Sequence, residues 1–129
     1  MMIFSLIASL AGLAATEFPD DPEQFSAWMQ QSCQVQQMRR SGGTPSDHDA
    51  FCSCLDGALS AGLSPAAYRV IALGSQGAIQ DEGMIDDWEA ARDAAATEVT
   101  ALDPEEQSAI QPALQTGLSM CLSLAYQGE

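Results

Sequence analysis

The chain has no lysine. Its 129 residues carry four arginines (Arg39, Arg40, Arg69 and Arg92) against 18 aspartates and glutamates, a formal charge of −14. That balance repels phosphate backbones and anionic membrane surfaces, so it argues against nucleic-acid binding and a role on lipid headgroups. Apolar runs are short as well. None reaches the roughly 20 residues that a membrane-spanning helix needs. Alternating β-branched stretches are absent, which removes the ordinary signal for strands. There is a single histidine, His48. With one imidazole, the many serines have at most one candidate base, and no Gly-x-Ser-x-Gly elbow or phosphate-binding glycine motif occurs. The Cys-x-x-Cys spacing of thiol redox sites is also missing. An enzyme is therefore not expected, and no cofactor is implied.

The N-terminus has a clear character. Residues 1–15 read MMIFSLIASLAGLAA, apolar or small throughout and without a charge. Acidic sequence follows at Glu17, Asp20, Asp21 and Glu23. This is the pattern of a cleaved secretory signal ending at Ala14 or Ala15. Leu13 stands where a lipoprotein signal would need cysteine, so lipidation is not expected. The reading is a signal peptide over 1–15 and a single helical domain over 16–129, periplasmic or secreted. About 114 residues remain after cleavage, enough for one domain with its own core.

Prolines mark helix starts. Asp21-Pro22 predicts a cap and first turn for a helix running to Arg40, with an apolar face of Phe25, Trp28, Met29, Ser32, Val35 and Gln36. Gly42-Gly43 end it. Thr44-Pro45-Ser46-Asp47 has the form of a capping box and opens a second helix to about Ser60. Ser64-Pro65 opens a short third helix that stops at Gly74, and 74–80 reads as a flexible connector. A fourth helix is expected from about Asp81 to Leu102. The fifth runs from Pro104 towards Tyr126, with Pro112 as a kink. The predicted fold is all-α, a small bundle of four to five helices, with an N-terminal hairpin and C-terminal helices.

The four cysteines are Cys33, Cys52, Cys54 and Cys121. In an exported chain an even set reads as a disulfide framework. Cys52 and Cys54 diverge by about 200° around one helix, so they cannot join each other. Cys33 and Cys52 are equally far from the hairpin midpoint, while Cys54 lies about 3 Å further along the axis. Level thus favours Cys33–Cys52 with Cys54–Cys121 over Cys33–Cys54 with Cys52–Cys121. The competing chemistry is a metal site in which His48 and Cys52, four residues apart on one face, act as ligands near Asp47 and Asp49. A splayed Cys-x-Cys and a lone imidazole make a poor ligand set. A solvated surface position is the ordinary expectation for His48.

The arrangement of Cys33, Phe51, Cys52, Cys54, Leu55 and Cys121 resembles small secreted or periplasmic all-helical bacterial proteins with a C…CxC…C pattern. The resemblance implies an exported helical domain with structural cysteines, and it carries no activity.

Acid pairs at Asp20-Asp21, Asp86-Asp87 and Glu105-Glu106 fit helix starts and polar faces rather than acid–base catalysis. Phe25, Trp28, Met29, Phe51, Trp88 and Met120 are candidates for an apolar ligand cavity between helices, although such residues at helical spacing are more often core. The leading expectation is a non-enzymatic interaction or envelope-associated module with a protein partner. The alternative is a carrier of a small hydrophobic ligand, with a periplasmic metal binder behind both.

Overall fold

The computed structural model describes residues 18–125. The export signal expected over 1–15 lies outside these residues, as do the first residues of the expected domain and the end of its last helix near Tyr126. The described chain is all helical. It contains α1 (Pro22–Ser41), a 3-10 turn (Pro45–His48), α2 (Asp49–Gly62), α3 (Pro65–Ile79), a second 3-10 turn (Gln80–Glu82), α4 (Trp88–Ala101) and α5 (Pro104–Ala125).

The helix starts follow from local chemistry. Asp21 accepts the Glu23 N–H at 3.1 Å, Ser64 accepts that of Ala67 at 3.2 Å, and Asp87 accepts that of Ala90 at 3.1 Å. Each satisfies a first-turn donor that has no partner within its own helix. The Asp103 N–H donates to Glu106 at 3.0 Å. The α1–α2 turn needs glycine: Gly42 and Gly43 have φ of 79° and 84°. A Cβ on Gly43 would also stand 2.7 Å from Asp47 Oδ2.

Two helix boundaries depart from the sequence reading. First, α3 does not stop at Gly74 but continues through the expected connector to Ile79. The glycines there permit close packing rather than a chain break. A Cβ on Gly77 would meet Arg92 Cβ at 2.8 Å, and one on Gly74 would touch Ala95 Cβ at 3.6 Å. Second, α4 starts at Trp88, not Asp81. The segment between is folded around buried Gln76, whose Oε1 accepts the Met84 N–H at 2.5 Å. Its amide nitrogen faces the Trp28 carbonyl at 3.0 Å and Ser32 Oγ at 2.9 Å. Pro112 lies inside α5, which runs through it as one helix over Pro104–Ala125.

The helices form two groups. α1 packs on α3, and α3 on α4, while α5 packs on α2. The first group encloses the main core, with Phe25, Trp28, Leu73 and Ala91 essentially closed to solvent. The second carries a smaller cluster of Phe51, Cys52 and Cys121. Disulfides Cys33–Cys52 and Cys54–Cys121 close at Cα–Cα distances of 5.6 and 5.8 Å. The first joins α1 to α2 and the second joins α2 to α5, the pairing that helix level favoured.

Candidate functional site

The predicted site residues do not converge. Phe25 and Trp28 are interlocked in the main core with ring centroids 6.0 Å apart. Trp88 is half-buried on α4, where its indole N–H donates to Asp81 at 3.1 Å and Arg92 lies 5.6 Å from its ring. Met120 faces outward and is 65% exposed. A single cavity lined by all six residues is therefore not formed. They sit on four helices, α1, α2, α4 and α5, and their helical spacing served packing against different neighbours.

His48 is a correction too. It is buried rather than solvated, at 5% exposure. The 3-10 turn folds its ring back on the hairpin, where Nε2 meets the Gly42 carbonyl at 2.9 Å. A carbonyl only accepts, so Nε2 carries the proton. Nδ1 has no partner among the described residues. The sulfur of Cys52 is bound to Cys33, which removes the thiolate that the His48/Cys52 metal alternative needs. Among the described residues, no three His, Cys, Asp or Glu stand close enough to hold a metal ion.

A polar cluster that the sequence did not announce lies between α1, α2 and α3. Asp56 is buried at 6% exposure. Its carboxylate accepts from Ser26 Oγ, from Gln30 Nε2 at 3.2 Å and from the Tyr68 hydroxyl. Burial, and then the hydrogen bond to this carboxylate, push the Tyr68 phenol far above its usual range. Tyr68 therefore stays a neutral donor, and the three bonds tie three helices together. No base or nucleophile pair emerges from this set: Ser26 has no imidazole near it, because the lone histidine is held at Gly42.

Two members of the predicted cavity, Met29 and Phe51, do meet at an open cleft of about 310 Å³. α2 lines it with Phe51, Leu55 and Leu59, and α3 with Ile71 and Ser75. α1 contributes Met29 and Cys33 together with polar Gln36, Gln37 and Arg40. α5 contributes Leu114 and Leu118. Leu118 remains 44% exposed, so the apolar lining reaches solvent. The volume lies at the small end of ligand pockets, which run from about 300 to 1,000 Å³. Cys33 also ties the α1 side of the cleft to α2, since its disulfide reaches Cys52.

Comparison with protein families, curated proteins and solved structures returned no match.

Proposed function

We propose that the protein is an exported, non-enzymatic binding module that carries a small hydrophobic ligand in the cleft between α1, α2, α3 and α5. The observation that carries this reading is the cleft itself, an indentation lined mainly by apolar side chains from four helices. A ligand there buries apolar surface that is otherwise wet, at about 25 cal/mol per Å². Export is supported by the apolar N-terminal segment and by the two disulfides, which persist in oxidising compartments. The absence of an assembled nucleophile and base among the described residues supports binding over catalysis.

Native mass spectrometry of protein purified without detergent is the direct test. Extra mass that is released by organic extraction and blocked in Leu118→Glu supports the carrier. A protein that emerges empty and fails to enhance the fluorescence of an apolar dye defeats it.

A second reading, an interaction module, is favoured by an exposed apolar side chain on α5. Met120 is 65% exposed there and lies about 200° around the helix from Leu118. Crosslinking in envelope extracts should then yield one partner that is lost in Met120→Glu but retained in Leu118→Glu.

A further inference from the structure

We infer that the ligand of the cleft is a single-chain amphiphile with an anionic headgroup, such as a fatty-acid carboxylate, and that Arg40 is the residue that recognises that headgroup. The inference rests on the carrier reading and adds the chemistry of the occupant.

Two observations about charge carry it. Among the described residues, Arg39 pairs with Glu82, Arg69 with Glu98 and Arg92 with Asp93. Arg40 makes no ion pair with any of them. The cleft lining is also free of acid. The chain has 18 acidic residues, yet the described residues that line this cleft include no Asp or Glu. Of the other depressions, the one between Pro22 and Tyr68 contains Glu23 and Asp56 and the one on α4 contains Asp93 and Glu98, while the one between α2 and α5 is also free of acid but is lined by no arginine. The cleft thus combines an apolar lining from α2 and α5, an unpaired guanidinium and no competing carboxylate.

The length of the lining along α1 suits one extended chain. Arg40 lies in the last turn of α1, and Met29, which also lines the cleft, stands 11 residues earlier on the same helix. At 1.5 Å per residue that separation is about 16 Å, suited to a medium-length acyl chain lying along α1. Gln36 and Gln37 also line the cleft and can donate to a carboxylate beside Arg40. Exposed acids more than about 8 Å from an anion there are largely screened at physiological salt. A guanidinium offers a carboxylate two parallel N–H bonds.

The test uses the disulfide-intact protein and three probes held below their micelle concentrations: dodecanoate, dodecanol and dodecyltrimethylammonium. Binding is followed by calorimetry and by native mass spectrometry. Dodecanoate should bind tightest and dodecyltrimethylammonium weakest. Arg40→Gln should weaken dodecanoate about fivefold, the scale of an exposed ion pair, and leave dodecanol unchanged. Added salt should act in the same selective way. Shortening the fatty acid by one methylene should weaken binding up to about fourfold, from about 0.8 kcal/mol per buried methylene. Circular dichroism and thermal melting check that Arg40→Gln remains folded. Equal binding of dodecanoate and dodecanol, insensitive to Arg40→Gln, overturns the headgroup inference and leaves the carrier reading standing. Failure of all three probes to bind overturns both.

Discussion

The two flanks of α3 are built on opposite plans. Towards α4 the helices close. Gly74 and Gly77 face Ala95 and Arg92, and the backbones approach until a Cβ on Gly77 would stand 3.0 Å from Arg92 Cα. Towards α5 the helices stand apart. Ile71 and Ser75 of α3 look across a cleft at Leu114 and Leu118. Small residues allow the first approach, while α5 is held elsewhere, on α2 and through Cys54–Cys121. One side of the same helix serves stability and the other leaves surface for a ligand.

The largest effect should come from releasing the open flank. Cys54→Ala/Cys121→Ala removes a staple across a sequence separation of 67 and should cost about 4 kcal/mol on the chain-entropy estimate. Removing Cys33–Cys52, with a separation of 19, should cost about 3 kcal/mol. Urea unfolding of the oxidised variants measures both, and an inverted order would reject the chain-entropy account of the two staples.

The closed flank gives the next contrast. Gly77→Ala gains about 1 kcal/mol in helix propensity but overpacks against Arg92, at about 1–3 kcal/mol. A net loss of about 1 kcal/mol is expected. Gly74→Ala meets only an ordinary contact at 3.6 Å and should be neutral or stabilising by up to about 1 kcal/mol. Equal effects in thermal melts would show that the seam is looser at Gly77 than its geometry implies.

On the open flank, Leu118→Trp has solvent-facing room and should change stability by no more than about 0.5 kcal/mol. It should nevertheless abolish dodecanoate binding by filling the cleft. Loss of stability comparable to Gly77→Ala would mean that the cleft is closed in solution.

The smallest effects lie at the helix starts. The Thr44 N–H holds the Asp47 carboxyl below its usual range. The Ser64 hydroxyl, followed by the Asp103 N–H, does the same for Glu106. A carboxyl whose folded value is lowered stabilises the fold above its unfolded value, about 4 for both residue types, and that contribution is lost as pH falls through the folded value. Thermal melts between about pH 5 and pH 2.5 should therefore decline less steeply in Asp47→Asn and in Glu106→Gln than in the parent. Unchanged slopes would reject the capping role of these acids.

Much of the helical framework was legible in advance. Asp-Pro, Thr-Pro and Ser-Pro starts describe interactions within a few residues, and local chemistry decides them. The disulfide pairing was also readable, because helix geometry restricts which sulfurs reach a common level. The glycines of α3 misled for a physical reason. Gly74 and Gly77 have the same identity whether they end a helix or let another one approach, and only the presence of α4 distinguishes the two. His48 was misplaced similarly, since its burial depends on a ring folding back to the Gly42 carbonyl. Asp56 gave no signal, because its donors Ser26, Gln30 and Tyr68 come from two other helices.

By itself, then, the order of residues determined an all-helical chain, most of its helix starts and the partners of its cysteines, because those follow from short-range geometry. The tertiary structure alone decided which flank of α3 closes. It also left Arg40 unpaired among the described residues, beside an apolar cleft whose described lining holds no acid. Those outcomes depend on how far apart whole helices settle, and that distance is set by side chains remote from one another in the chain.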